Sequence, residues 1–208
     1  MNKLCRFATA AAVVVAASAF ATQASANPFA WLGLGYTPTD NGNQVRADLR
    51  RVTVDYPTNE APGTIIVDTP NTYLYYVLPG GKAIRYGIGV GREGFTWAGV
   101  KTVERKAEWP DWTPPPEMIA RSPYLPRFMA GGATNPLGAR AMYLSGSFYR
   151  IHGTNAPGSI GSRATAGCIR MVNEDVIDLY DRVKVGTKVV VLPAPERRAA
   201  AAPFNLFR

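Results

Sequence analysis

Arg150-Ile151-His152-Gly153-Thr154-Asn155-Ala156-Pro157-Gly158-Ser159-Ile160-Gly161, followed after residues 162–166 by Gly167-Cys168-Ile169-Arg170-Met171, decides the reading of this 208-residue chain. The stretch holds the only histidine and, 16 positions later, one of only two cysteines. A thiol is nucleophilic as the thiolate, and a neighbouring imidazole both favours ionisation and takes the proton. Glycine-rich turns between the two let the chain bring them together, and Gly167 before Cys168 permits a tight turn that aims backbone N–H groups at a developing oxyanion. Two candidate ligands fall short of the four that a zinc site needs. Neither a metal nor a cofactor is therefore expected.

Working outward, the segment C-terminal to the motif reads as one helix. Asn173 is an N-cap candidate, Glu174 and Asp175 lie in the first turn where the helix dipole favours acids, and Val176, Ile177, Tyr180 and Val183 form an apolar stripe. Gly186 stops it and residues 187–192 read as a closing strand. N-terminal to the motif, residues 141–144 and 147–152 read as strands about Ser145-Gly146. Residues 109–126 are dense in proline and aromatics and cannot be a central strand. They are expected as a surface loop, with a short helix near residues 117–121. Further upstream, 64–68, 72–78 and 83–90 read as a meander of short strands, and 101–108 alternates as another.

Gly 20 and Pro 17, with 47% hydrophobic and 18% charged residues, fit a globular protein with many turns and few long helices. Collagen-like, coiled-coil and fully disordered classes are excluded. The charge of +8 is compatible with nucleic acid, acidic glycan or an anionic membrane. No run of Lys and Arg selects among them.

The N-terminus reads as a cleaved leader. Lys3 and Arg6 form a basic region, residues 7–20 are apolar or small, and Ala24-Ser25-Ala26 matches a small-x-small cleavage site before Asn27. The apolar run is too short to span a bilayer. Cleavage removes Cys5 and leaves Cys168 as the only thiol, so no internal disulfide is possible and the thiol is either buried and inert or kept for reaction. The expected organisation is a signal peptide over 1–26, a flexible lead-in over 27–61 with a weak edge strand about 46–54, a catalytic domain over 62–193 and a disordered tail over 194–208.

The run from His152-Gly153-Thr154-Asn155 to Gly167-Cys168-Ile169-Arg170-Met171 closely resembles the signature of L,D-transpeptidases of the YkuD type (ErfK/YbiS/YcfS/YnhG-like). Asn135-Pro136-Leu137-Gly138-Ala139-Arg140-Ala141-Met142-Tyr143-Leu144 is similar to the strand that precedes the active site in that family. The resemblance implies a mainly β fold, a β-sandwich with mixed sheets and one or two short helices. It implies a periplasmic enzyme on peptidoglycan: the cysteine attacks a tetrapeptide stem, the terminal residue leaves, and an amine resolves the thioester. The product is a 3→3 cross-link or an anchored protein. The implied partners are stem peptides, with an envelope lipoprotein or outer-membrane protein as a further acceptor, and no nucleic acid. No transmembrane segment is expected after cleavage, and carbapenems are expected to acylate the thiol.

Matched residue by residue, Cys168 is the expected nucleophile and His152 the base. The carbonyl of Gly153 is the expected orienter of the imidazole, and the N–H groups of Gly167 and Cys168 the expected oxyanion hole. Arg170, Asn155 and Thr165 are candidates for binding substrate, with a salt bridge to the helix acids as the bland reading of Arg170 and loop fixation as that of Asn155. Where relatives carry Ser-His, Ser-Ser or Ser-Asn before Gly-Cys, this chain carries Thr165-Ala166, so a polar side chain is missing beside the nucleophile. A hydrolase using the same thioester and a catalytically weak envelope-binding protein are the alternatives. A sortase is disfavoured by the close spacing of His152 and Cys168 and by the His-Gly-Thr-Asn context.

Overall fold

The computed structural model describes residues 45–193. The expected signal peptide, the first part of the lead-in and the tail lie outside the described residues. The elements are β1 (Val52–Asp55), β2 (Ile65–Asp68), β3 (Tyr73–Leu78), β4 (Lys82–Gly87), β5 (Val90–Gly91), β6 (Gly99–Glu108), α1 (Pro116–Arg121), β7 (Arg140–Leu144), β8 (Arg150–His152), β9 (Arg163–Thr165), β10 (Ile169–Arg170), α2 (Asn173–Arg182) and β11 (Lys188–Val191).

The strands form a mixed sheet in the order β1-β4-β3-β2-β11-β6-β7-β8-β10, with β5 and β9 paired separately in parallel. The meander β2-β3-β4 is antiparallel throughout. The closing strand β11 runs parallel to β2 and antiparallel to β6. β6 carries the sheet from one half to the other. Its residues 99–102 pair with β11 and those from Val103 onward with β7, with a register shift between Val103 and Arg105. Bulges bend strands and raise local twist. The two halves share one core: Ile65, Val67 and Leu74 from one, Met142, Leu144 and Ile151 from the other, with Val176 and Leu179 of α2. The fold is mainly β, with mixed sheets and two helices.

Two expectations need correction. The flexible lead-in does not extend to residue 61. β1 pairs along its length with β4 at the sheet edge, and Leu49, in a 3-10 turn at Ala47–Leu49, is buried with Ile160 and Val172. Truncating such a leucine to alanine costs about 2–5 kcal/mol, so this segment belongs to the folded domain. Arg51 also reaches α2, 3.1 Å from Asp178 and 3.6 Å from Asp175. Second, Asn173 does not cap α2. The N-cap position is Val172, and Asn173 is the first helical residue. Its side-chain oxygen instead accepts the backbone N–H groups of Ala139, at 3.0 Å, and Thr154, at 3.2 Å. It thereby ties the helix to the loop before β7 and the loop after β8.

Candidate active site

The second half of the motif, read only as turns from the sequence, contains two short strands. β10 lies parallel to β8, with Ile169 level with Ile151 and Arg170 level with His152. Ile151 and Ile169 are in the core. Because side chains alternate across a strand, Arg150, His152, Cys168 and Arg170 fall on the opposite face. The sixteen-residue gap is thus closed by backbone pairing, which brings the two halves of the motif side by side.

His152 is buried, and its Nδ1 lies 2.6 Å from the carbonyl oxygen of Gly153. A carbonyl only accepts, so Nδ1 carries the hydrogen and Nε2 presents its lone pair. Burial pushes the imidazole down to about 4, and the charges of Arg170 and Arg150 act in the same sense against the carbonyls of Gly153 and Leu137. The ring is therefore neutral at pH 7. Room for the Gly153 carbonyl depends on that glycine. A Cβ there would strike the Asn173 side chain and approach Ala139 N to 3.0 Å.

Cys168 is half-buried and unpaired, with its Sγ 4.0 Å from the Phe148 carbonyl. Burial pushes its thiol up, opposed by a backbone hydrogen bond from Arg150 and by the charges of Arg150 and Arg170. With both groups neutral at rest, the site holds a protonated thiol and an unprotonated imidazole rather than a preformed ion pair.

Thr165 holds the nucleophile turn. Its hydroxyl donates to the Cys168 carbonyl at 2.6 Å and accepts the Gly167 N–H at 3.3 Å. The residue is buried, and its hydroxyl is engaged inside the turn. The Gly167 N–H is accordingly shared at long range, whereas the Cys168 N–H donates to no group among the described residues. Gly167 has φ +101°, and a Cβ there would strike the Tyr149 ring. The exposed Asn155 side chain donates through Nδ2 to the Thr134 carbonyl at 2.7 Å, tying two loops together. Arg170 makes no ion pair with the helix acids. It donates to Ser159 Oγ at 3.0 Å and is clasped by two backbone bonds to Gly89, each 2.8 Å.

Several supporting residues carry no sequence signal of their own. Trp97 donates through Nε1 to the Gly167 carbonyl at 2.9 Å and stacks on Tyr149, with ring centroids 4.8 Å apart and planes within 3°. Phe95, on the same loop, places its carbonyl beside Gly167 and lies 5.7 Å below the guanidinium of Arg121 at the end of α1. The proline- and aromatic-rich loop thereby meets the Cys168 turn through Phe95.

Among the described residues no group of three or more His, Cys, Asp or Glu side chains could hold a metal, and no helix is long and apolar enough to cross a membrane.

The model of the YkuD L,D-transpeptidase catalytic domain matches residues 62–191. The probable L,D-transpeptidase ErfK/SrfK of Escherichia coli is 42% identical over 140 residues, 63% of this chain and 44% of the relative. The chain thus spans less than half the length of that relative. A solved protein of Brucella melitensis, described as a probable carnitine operon oxidoreductase, is 46% identical over 73% of this chain and 99% of its own, with a TM-score of 0.49; that description belongs to the Brucella protein. The catalytic domain of the L,D-transpeptidase of Enterococcus faecium shares the fold, with a TM-score of 0.51 at 22% identity over 65% of this chain and all of that one. With the matched span covering both halves of the motif and all but one strand of the mixed sheet, the chain belongs to the YkuD family of L,D-transpeptidase catalytic domains.

Proposed function

We propose that the protein is a peptidoglycan L,D-transpeptidase working by thioester acyl transfer at Cys168, and that it does so in the periplasm after removal of a signal peptide. The observation that carries the reading is the parallel β8–β10 register. Ile169, next to Cys168, pairs with Ile151, next to His152, whose Nδ1 is held by Gly153, and this supports the pairing of thiol and base.

In the first half-reaction the Cys168 thiol passes its proton to Nε2 of His152 as sulfur attacks the carbonyl carbon of the penultimate stem residue. Negative charge gathers on the carbonyl oxygen, and the Cys168 N–H, with that of Gly167, is the donor set for it. The C–N bond then breaks and the imidazolium returns the proton to the leaving nitrogen. An acceptor amine, on a second stem or an envelope protein, repeats the sequence in reverse and frees the thiol. Thr165 and Trp97 hold the turn, and Arg170, level with His152 and bonded through Nη1 to Ser159, keeps Nη2 for a stem carboxylate.

The test is intact-protein mass spectrometry of the full chain with a tetrapeptide stem. The expected result is an adduct equal to the stem less its terminal residue, located on Cys168 and absent in Cys168→Ala. Adding an amine acceptor should convert it to cross-linked product, whereas a purely hydrolytic enzyme releases tripeptide regardless of acceptor. A carbapenem should leave one adduct on the same residue. Turnover by Cys168→Ala would overturn the reading.

A further inference from the structure

Beyond the nucleophile and base, the face of the sheet that carries Cys168 bears a row of residues running across four strands. Arg105 of β6 is level with Tyr143 of β7, and Tyr143 is level with Arg150 of β8. Ile169 is level with Ile151 in the parallel pair, so Cys168, one residue before it, is level with Arg150. The residues in the adjacent register, Met142, Ile151 and Ile169, all point into the core. The Arg105–Tyr143–Arg150–Cys168 row therefore lies on the outer face.

The Tyr143 ring is a shelf for both cations. The Arg105 guanidinium carbon is 3.5 Å from its centroid and that of Arg150 5.4 Å. Such contacts fix a planar guanidinium without using its N–H donors. Arg150 uses none of them elsewhere. Among the described residues it forms no ion pair, and its Nε is buried with no hydrogen-bond partner. The terminal nitrogens are not among the buried unpartnered atoms, so they reach the surface with their donors free. A half-buried cation with an unsatisfied N–H gains from a ligand that completes it. The group that fits a free guanidinium fork is a carboxylate.

We propose that Arg150 is a specificity-determining residue of the donor site, binding the free carboxylate of the residue that leaves. This rests on the transpeptidase reading. In a stem with an unmodified end, that carboxylate is joined through a single Cα to the nitrogen released from the scissile amide. Its position is thus fixed within a few ångströms of Sγ, where Arg150 stands level with Cys168. Arg170 lies one pair further along, beside His152 and tied to Ser159, and serves a different part of the stem. The site therefore measures where the donor ends. A stem whose terminal carboxylate is amidated or extended leaves Arg150 uncompensated.

The experiment compares the full-chain protein on a tetrapeptide stem and on the same stem with its C-terminal carboxylate amidated, reading kcat/KM for release of the terminal residue. Wild type should favour the acid by about tenfold or more, the scale of one charge-assisted pair. In Arg150→Gln the ratio should fall to within about twofold of unity, and Arg150→Lys should retain an intermediate preference, since a single ammonium lacks the fork. Lys keeps the charge and stem packing, so it carries the test if the Gln variant does not fold. An undiminished acid preference in the variants overturns the proposal, as does loss by the same factor on both stems, which would make Arg150 a tuner of the sulfur. Equal wild-type turnover of acid and amide overturns it too. No thioester from either stem in wild type would instead strike the transpeptidase reading, and the proposal with it.

Discussion

Arg170 stands level with His152 across the parallel pair of β8 and β10, and this register decides which face Cys168 occupies. A slip by one residue would turn Cys168 into the core and Ile169 out of it. The same register sets Arg150 and Arg170 at the site; burial keeps the imidazole neutral with their charges acting in the same sense, while those charges ease ionisation of the half-buried thiol.

That balance fixes the pH dependence of thiol reactivity without substrate. The His152 imidazole sits at about 4, and burial pushes the Cys168 thiol above its ordinary value. Alkylation of Cys168 by iodoacetamide should therefore rise continuously from pH 6 to pH 9, the thiolate fraction setting the rate. A rate already level below pH 6 would reveal a stable thiolate–imidazolium pair and contradict the neutral resting state.

Asn173 offers a test of how the site is braced. Its oxygen accepts two backbone N–H groups that flank the His152 segment. Asn173→Ala leaves both without that acceptor, at about 1–3 kcal/mol each where the groups stay dry. A marked fall in Tm is expected, with Asn173→Asp, which keeps the acceptor, closer to wild type. Equal Tm values for wild type and the Ala variant would show that water replaces the amide.

Gly167→Ala should be more damaging to turnover than to folding. The residue has φ +101°, and the new Cβ would meet the Tyr149 ring, so the nucleophile turn must shift off the Trp97–Tyr149 stack. Thioester formation should drop at least tenfold, since roughly 1.4 kcal/mol of lost alignment suffices. Circular dichroism should stay native. Wild-type turnover would show that the turn can relax without moving Sγ.

The candidate site is legible because it resides in residue identity. The sole histidine, Cys168 and the Gly153 carbonyl form a pattern that local sequence displays, and the meander β2-β3-β4 shows in β-branched runs. What the sequence hid was pairing between distant segments. β9 and β10 are two or three residues long, too short for periodicity, and form strands because β5 and β8 supply partners. Asn173 looked like a cap because its position before an acidic turn is what caps share, but two amides from other loops compete for its oxygen. Trp97, Tyr149 and Arg150 look like ordinary strand and loop residues until the register places them against the nucleophile turn. Thr165 and Asn155 are substrate candidates by resemblance, with loop fixation the other reading of Asn155; the Thr165 hydroxyl engages its own turn, and Asn155 ties its loop to the Thr134 carbonyl of another.

The last prediction concerns acid stability, where two buried groups oppose one another. The His152 imidazole is lowered to about 4 from 6.5, so the unfolded chain takes up that proton first and stability is lost as pH falls from 6.5 to 4. Burial raises the Asp175 carboxyl to about 6 from 3.8, the Arg51 charge only partly opposing it. The native state takes up that proton first, and stability is gained as pH falls from 6 to 3.8. Each slope is about 1.4 kcal/mol per pH unit, and the windows nearly coincide. Wild type should thus show little change in unfolding free energy between pH 6 and pH 4. Below that, Asp178, held at about 2 chiefly by its hydrogen bond to Arg182, makes stability fall as pH drops below 3.8. Asp175→Asn removes one side of the balance. The variant should gain about 1–2 kcal/mol at pH 7, where the buried charge is costly, and lose roughly 3 kcal/mol between pH 6.5 and pH 4 as the unopposed His152 slope emerges. Urea unfolding at pH 7, 5.5 and 4 measures both effects. Parallel curves for wild type and variant across that range would mean that Asp175 is ionised in the folded protein throughout, with Arg51 compensating its burial.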